Sequence, residues 1–355
     1  METNFSADLT RLLEAAIAAK ASDLHLTSGV PPIVRVDGKL VALPSEAVLT
    51  SEQVTTLAQG LLMPTQIERL KQDREIDFSF GYDDSRIRAN VYFQRGDAAA
   101  SLRFIPKDVR PLTELGLPPI LEKFTQSSQG LVVITGPTGH GKSTTLAALV
   151  DLINTTRSEH IITIEDPIEY VFPHKKSIVS QREVGSDTNS FARALRGALR
   201  EDPNVILVGE MRDLETIEAA ITVAETGHLV FTTLHTNSAA QTADRIIDVF
   251  PPHQQAQIRM QLSNVLLGIV SQRLLPKVSG GRMAAAEVLM ANNAVRNLIR
   301  EGKTHQIPNI IQTSAAEGMI ALDKVLAELV SKGEVSLDDA MTWAIDPKAF
   351  KMMVY

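Results

Sequence analysis

The chain has 355 residues and no cysteine, with 35 Lys and Arg against 42 Asp and Glu for a formal charge of −7. Disulfides and cysteine-ligated zinc are excluded, a general nucleic-acid footprint is not expected of so acidic a chain, and at ~150 residues per domain the length suggests two domains. No apolar run approaches the ~18 residues of a membrane span and residues 1–8 lack an apolar signal core, so a soluble protein is expected, compatible with the reducing cytoplasm.

In chain order, Leu9, Leu12, Leu13, Ala16 and Ile17 share one face of a helix predicted over 9–20. The runs 23–26, 33–36 and 39–41 read as strands, with Asp37-Gly38 as a hairpin turn between the last two. One helix is predicted over about 51–72, then strands near 75–80, 86–94 and 100–105. Residues 1–110 therefore form a small α+β domain. Pro106, Pro111, Pro118 and Pro119 punctuate the next stretch, so 111–125 is expected to be a linker that ends in a short helix near 120–125.

From 131 the pattern changes. Strands are expected at 131–135, 160–165, 204–209 and 228–234, with helices near 142–155, 188–200 and 213–225. Apolar strands that do not alternate, separated by helices, imply a parallel sheet covered on both faces. Beyond Pro251-Pro252 the chain becomes mainly helical (about 253–267, 291–301, 304–314, 321–331 and 336–344), with strands at 268–275 and 283–289.

The strongest chemical signal is Gly136-Pro137-Thr138-Gly139-His140-Gly141-Lys142-Ser143-Thr144. It matches the phosphate-binding loop at every fixed position and lies between a β-branched apolar run and a helical one, the context the motif requires. Glycines let backbone N–H groups and the following helix N-terminus wrap an anion. Lys142 is expected to reach the β- and γ-phosphates of ATP, and the Ser143 hydroxyl to hold Mg²⁺.

Nucleotide hydrolysis also needs carboxylates for the attacking water and for the metal's water shell. Two candidates stand at strand ends. Val205-Ile206-Leu207-Val208-Gly209-Glu210 ends in an acid suited to polarising water, but Gly209 stands where an Asp usually binds the metal sphere. Glu165, in Ile164-Glu165-Asp166-Pro167-Ile168-Glu169, could supply the metal-side carboxylate. For each the bland alternative is a helix-capping or surface acid. His235 ends the strand near 228–234, at the edge where open α/β sheets bind ligands, and is either a γ-phosphate contact or a structural histidine.

Taken in order, the loop at 136–144, the acidic box at 164–169, the Leu207-Val208-Gly209-Glu210-Met211-Arg212-Asp213 strand end and the two-histidine stretch at 228–235 resemble the secretion ATPase superfamily. Within it the chain is similar to the pilus retraction ATPases of the PilT family. The further matches are Ser22-Asp23-Leu24-His25-Leu26, Gln181-Arg182-Glu183-Val184-Gly185, Ala198-Leu199-Arg200-Glu201-Asp202-Pro203 and Ala294-Val295-Arg296-Asn297-Leu298-Ile299-Arg300-Glu301. In the last of these Val295 replaces the usual Ile. Assembly-type relatives usually carry a further N-terminal domain and a four-cysteine motif, neither of which is expected here.

The resemblance implies an α/β protein: a RecA-like P-loop ATPase core (126–290), an N-terminal α+β PAS-like domain (1–110) and a helical C-terminal region (291–355). It implies Mg²⁺-ATP hydrolysis by a homohexamer in the cytoplasm, peripheral at the inner membrane. The partners implied are a pilus platform protein and a paralogous retraction ATPase, with no nucleic acid. Glu210 would be general base, Glu165 would organise metal and water, and His235 would sense the γ-phosphate. Residues 88–95 are similar to the family segment that supplies arginines across the subunit boundary, which puts Arg88 and Arg95 forward, with Arg103 a weaker third. At an odd spacing on one continuous strand, Arg88 and Arg95 would face opposite sides. Arg296, Asn297, Leu298, Ile299, Arg300 and Glu301 would couple hydrolysis to movement, unless that stretch is simply an amphipathic packing helix. Arg193, Arg196 and Arg200 form a stripe, with Lys175, Lys176 and Arg182 upstream; a solvated face is the first reading and a subunit contact the second. The alternatives to a retraction motor are an assembly or secretion motor, a nucleic-acid translocase, and a regulatory nucleotide-binding subunit.

Overall fold

In the computed structural model, which describes residues 5–36, 38–83, 85–105 and 108–354, the chain divides into two units. One comprises Met1–Lys107 with Glu169–Val171, the other Asp108–Ile168 with Phe172–Tyr355.

The first unit begins with α1 (Ala7–Ala18), where the Ser6 hydroxyl accepts the Leu9 N–H as an N-cap should. Leu9, Leu12, Leu13 and Ala16 are buried as expected, but Ile17 is 36% exposed, at the edge of the apolar stripe. Next come β1 (Asp23–Leu26), β2 (Ile33–Val36) and β3 (Lys39–Ala42). The β2–β3 hairpin places Val36 opposite Lys39, with Gly38 at φ +80°; Asp37 lies outside the described residues. The single helix expected over 51–72 is in fact two, α2 (Ser51–Gly60) and α3 (Pro64–Asp73). Pro64 occupies the first turn of α3, where its missing N–H costs nothing, whereas inside a continuous helix it would break the ladder. Three long strands follow: β4 (Glu75–Tyr82), β5 (Ser85–Gln94) and β6 (Asp97–Ile105). The sheet runs β3-β2-β1-β6-β5-β4 with every neighbouring pair antiparallel. Ile87, Ala89 and Val91 of β5 and Ala98, Ala100 and Leu102 of β6 join the helices in one core.

The second unit is built on a seven-stranded sheet. Its elements are α4 (Glu122–Gln126), β7 (Gly130–Thr135), α5 (Lys142–Thr156), β8 (His160–Glu165), β9 (Ile178–Glu183), α6 (Phe191–Ala198), β10 (Val205–Val208), α7 (Leu214–Glu225), β11 (Leu229–Leu234), α8 (Ala239–Asp248), α9 (Pro252–Val265), β12 (Leu266–Pro276), β13 (Arg282–Met290), α10 (Asn293–Arg300), α11 (Ile307–Thr313), α12 (Leu322–Ser331), α13 (Leu337–Met341) and α14 (Pro347–Val354). The order is β13-β12-β7-β11-β10-β8-β9. All neighbours are parallel except the β12–β13 hairpin. Every residue of β7, β10 and β11 is buried, the property that makes their sequences non-alternating.

Sequence periodicity does not reveal three elements of this unit. β9 is an edge strand with Ile178 62% exposed and four polar residues after Val179, so only its ladder with β8 identifies it. In α8 the buried positions Ala239, Thr242, Ala243, Ile246 and Ile247 have helical spacing, but mostly small side chains, which give a weak apolar signal. α14 is anchored by Phe350, fully buried against α12 and α13. The expected linker also differs. Pro106 lies outside the described residues, and Leu112, Leu117, Leu121 and Phe124 are all buried. Phe124 lies directly against Gly268 of β12, where even a methyl group would collide with its ring at 2.5 Å.

Candidate nucleotide site

The loop at 136–144 joins β7 to α5 at the C-terminal edge of the parallel strands, where open α/β sheets take ligands. Its shape is set by β12 as much as by its own glycines. Gly136 has φ +142° and presses so closely on β12 that a Cβ would lie 2.4 Å from the Gln272 carbonyl oxygen. Gly141, at φ +81°, precedes α5, and a Cβ there would meet the Gln272 amide at 2.9 Å. Gln272 itself binds on both sides of the turn. Its Nε2 donates to the His140 carbonyl at 2.9 Å, and its Oε1 accepts from Thr145 Oγ1 at 2.6 Å. The Leu274 N–H donates to His140 Nδ1 at 3.0 Å. Thus loop residue His140, expected only as a nucleotide contact, also ties the loop to β12.

Lys142 is 8% exposed. Its ammonium donates to the Gly136 carbonyl at 2.9 Å and the Pro137 carbonyl at 3.0 Å, and lies 3.4 Å from His235 Nδ1. An ammonium has no lone pair, so Nδ1 is the acceptor and the imidazole proton sits on Nε2. That nitrogen is 3.3 Å from Glu210 Oε2. Glu210 Oε1 in turn pairs with Arg212 Nε at 2.7 Å. Lys142, His235 and Glu210 therefore form one polar chain reaching from the phosphate loop to the end of β10. Thr138 Oγ1 comes within 3.5 Å of the same His235 Nδ1. The strand-end histidine is thereby brought to the loop.

Glu165, 8% exposed, ends β8 beside β10, where the Gly209 N–H donates to the Ile164 carbonyl at 2.8 Å. Its carboxylate is oriented by Thr163 Oγ1 at 2.6 Å and Gln181 Nε2 at 3.2 Å. A Cβ on Gly209 would meet Glu165 Cα and the Ile164 carbonyl at 3.4 Å, ordinary van der Waals contact, so packing alone does not require glycine there. Thr233 Oγ1 also donates to the Gly209 carbonyl at 2.6 Å. Ser143 and Thr144 lie half-buried in the first turn of α5. Among the described residues no group of three or more His, Cys, Asp or Glu could hold a metal. Mg²⁺ takes one or two protein ligands, phosphate oxygens and several waters, and the Ser143 hydroxyl and the Glu165 carboxylate are oxygen donors of the kind it accepts.

Sequence reasoning missed Gln272 and Arg273. The signal was present as three polar residues, Ser271-Gln272-Arg273, inside a strand whose burial pattern is otherwise apolar; each is 3% exposed or less. Arg273 donates to the Gln272 carbonyl at 2.8 Å and the Asn237 carbonyl at 2.7 Å, fixing the segment that follows His235. On its other side that segment is held by Thr135 Oγ1, which donates to the Thr236 carbonyl at 2.8 Å. Glu287 of β13 is buried and accepts the Ala239 N–H at 2.7 Å. Burial pushes its carboxyl up to about 7, against the opposing effects of that hydrogen bond and of Arg273, with Asp323 adding to the rise.

The expected arginines lie in the other unit. Arg88 is on β5, opposite Ser79 and Arg103. Arg95 is not on that strand: β5 ends at Gln94, and Arg95 at φ +52° with Gly96 at φ +91° forms the turn into β6. Strand parity therefore does not fix its direction, and the expected conflict between the two arginines falls away. Arg103 is exposed but pairs with Asp23 at 2.8 Å, which together with the Ser22 hydroxyl lowers the Asp23 carboxyl despite an opposing effect of burial.

The expected coupling segment divides by side chain. Val295 and Ile299 are buried. Arg296 donates to the Ala291 carbonyl and to the carbonyls of Ser263 and Asn264 in the last turn of α9, the carbonyls a helix end leaves open. Arg300 donates to Asn297 and Glu301 pairs with Lys303 at 2.8 Å, all on the exposed side. The arginine stripe is interrupted, because α6 ends at Ala198 and Arg200 lies beyond it. Arg196 approaches Glu215 only at 4.0 Å with both exposed, a contact of little energetic weight. Upstream, Lys175 pairs with Asp151 and Arg182 with Glu201, while Lys176 is exposed.

A parallel sheet, a phosphate loop at its C-terminal edge and acids on neighbouring strand ends define a P-loop nucleotide-binding protein. Residues 3–280 match the model of the type II/IV secretion system protein family, and the chain belongs to that family. It is 48% identical over 346 residues, 97% of this chain and 100% of the relative, to the "Type IV pilus retractation ATPase PilT" of Pseudomonas aeruginosa PAO1. It is 47% identical, over 90% of this chain and 88% of the relative, to the "Twitching motility protein" of Neisseria gonorrhoeae. The crystal structure of "the Pilus Retraction Motor PilT and Bound ADP" superposes with a TM-score of 0.91 at 50% identity, over 97% of this chain and 98% of that one. The Legionella pneumophila ATPase DotB gives 0.76 at 28% identity, over 94% of both chains. No helix among the described residues is long and apolar enough to cross a membrane.

Proposed function

We propose that the chain is an ATP-hydrolysing motor that drives retraction of a type IV pilus. The observation that carries this is the polar chain Lys142–His235–Glu210, which links the phosphate loop to a strand-end carboxylate. The names of the relatives give the direction of work.

ATP binds with its phosphates against the loop amides and the N-terminus of α5. Lys142 transfers its ammonium from the Gly136 and Pro137 carbonyls to the β- and γ-phosphates. Glu210 orients a water and takes its proton as the oxygen bonds to the γ-phosphorus and the bond to the ADP oxygen breaks. Arg212 and His235 hold both carboxylate oxygens, so the base is positioned before substrate arrives. With one ring nitrogen toward Lys142 and the other toward Glu210, His235 relays loss of the γ-phosphate to the base. Ser143 and Glu165 would hold Mg²⁺, which would supply charge neutralisation at the phosphates. Arg88 and Arg95 serve the site of a neighbouring copy in a homohexamer. Movement is delivered to an inner-membrane platform protein, with a paralogous motor as a second partner, from the cytoplasmic side. The exposed residues Asn297, Arg300 and Glu301, with Leu298, couple turnover to that movement; Arg296 supports them through its cap on α9.

Phosphate release by the purified protein in Mg²⁺-ATP, titrated over protein concentration, tests the reading. Specific activity should rise as the ring assembles, and Glu210→Gln should bind ATP but lose turnover by about 10²-fold or more. In a strain lacking its own retraction ATPase, the wild type should restore twitching and the variant should not. Normal hydrolysis by Glu210→Gln refutes the base; an assembled ring without turnover points to a regulatory subunit.

A further inference from the structure

The chain contains one tryptophan, Trp343, directly after α13. Its backbone N–H donates to the Ala340 carbonyl at 3.0 Å. The two residues after Ala344 are held by the buried Asp323 of α12, which accepts the Ile345 and Asp346 N–H groups at 2.7 and 3.0 Å. The indole packs against the cluster of Leu275, Leu322, Leu326 and Phe350, which unites the C-terminal helices with β12. It also meets the phosphate loop. The His140 ring stands edge-on to it with centroids 4.9 Å apart, and the Arg273 guanidinium lies 5.2 Å from its centroid.

Those contacts have a defined chemistry. His140 Nδ1 accepts the Leu274 N–H, so the ring carries no proton there. Burial first, then the cations Arg273, Lys142 and Arg282, push its pKa below the usual histidine value, which keeps the ring neutral. Arg273 fixes the segment after His235 through the Asn237 carbonyl. The indole therefore touches both the middle of the phosphate loop and the arginine that anchors the γ-phosphate side. From this we infer that Trp343 is a positioning residue. It sets the phosphate loop through His140 and Arg273, and it carries nucleotide-dependent displacement of that loop into α12, α13 and α14.

This role rests on the loop binding a nucleotide, and the sole tryptophan makes it directly readable. ADP is titrated into the full-length protein while calorimetry records binding and Trp343 emission is followed. Wild type should show an emission change that saturates with the calorimetric isotherm. His140→Asn retains an acceptor for the Leu274 N–H but removes the ring. Its affinity for ADP should fall about tenfold, as for loss of the indole, and at saturating ADP it should lose most of that emission change. Bound ADP with silent emission in wild type, or an undiminished change in His140→Asn, overturns the inference while leaving nucleotide binding intact. Absence of any ADP binding refutes the functional reading instead. In turnover assays Trp343→Leu should raise KM for ATP by about tenfold, roughly the loss of one aromatic and one cation contact, with kcat changed less. Trp343→Phe should recover most of that loss. Equal KM in wild type and a folded Trp343→Leu, judged by an unchanged urea midpoint, overturns the positioning role.

Discussion

Replacing Glu287 by Gln tests the polar layer beneath the site. Glu287 is 4% exposed, and its carboxyl is raised from 4.5 to about 7, mainly by burial. A carboxyl with a raised folded pKa binds protons more tightly in the native state than in the unfolded chain. Its contribution is present below the unfolded value and is lost as pH rises through the window from 4.5 to about 7. At about 1.4 kcal/mol per pKa unit, the whole loss is about 3 kcal/mol, and some 2 kcal/mol of it falls between about pH 5.5 and pH 8. Gln keeps an oxygen for the Ala239 N–H and has no proton to release. Relative to wild type, Glu287→Gln should therefore gain about 2 kcal/mol across that range, roughly 4–8 °C in melting temperature for a unit of this size. Unfolding followed by Trp343 emission at fixed protein concentration reads the unit in which both residues lie. Parallel pH profiles for the two proteins would refute the reasoning. They would mean that Arg273 offsets a charged Glu287 fully in the fold.

Gln272→Ala removes the bridge between the His140 carbonyl and Thr145; two buried groups losing partners should cost about 1–3 kcal/mol, measured as a lower urea midpoint together with weaker ADP binding. Gly136→Ala combines φ +142° with a contact at 2.4 Å to backbone, so nucleotide binding in calorimetry should be lost; near-normal affinity would show that β12 yields freely. Arg296→Ala opens three carbonyls and should lower stability by about 1–3 kcal/mol, whereas exposed Arg300→Ala should leave the melting temperature unchanged while reducing twitching. A normal melting temperature for Arg296→Ala would move that residue from support to direct coupling.

How much was legible in the sequence depended on the range of the interaction. The phosphate loop was legible because the anion site is made by consecutive backbone groups, so local spacing alone specifies it. The strands at 130–135, 160–165, 205–208 and 229–234 were legible because burial on both faces writes an unbroken apolar run. β9 and α8 were not, since an edge strand borrows its pairing from β8 and the buried face of α8 is made chiefly of Ala and Thr.

The acids Glu165 and Glu210 and His235 could be nominated from strand ends, but a lone acid or histidine has too many ordinary uses for sequence to choose among them. Tertiary structure adds the neighbours that sequence lacks, bringing Lys142, His235 and Glu210 within hydrogen-bonding reach. The same holds for Arg95, whose place in a turn depends on where β5 leaves its ladder. Gln272, Arg273 and Trp343 become part of the site only when β12 lies beside β7. The sequence by itself determined which backbone could grip a phosphate and which strands had to be buried, because both follow from neighbours along the chain. Folding alone decided what holds that grip in shape, because those partners are far apart in the chain, 134 positions for the Leu274–His140 hydrogen bond and more for the Trp343–His140 contact, and meet only in the fold.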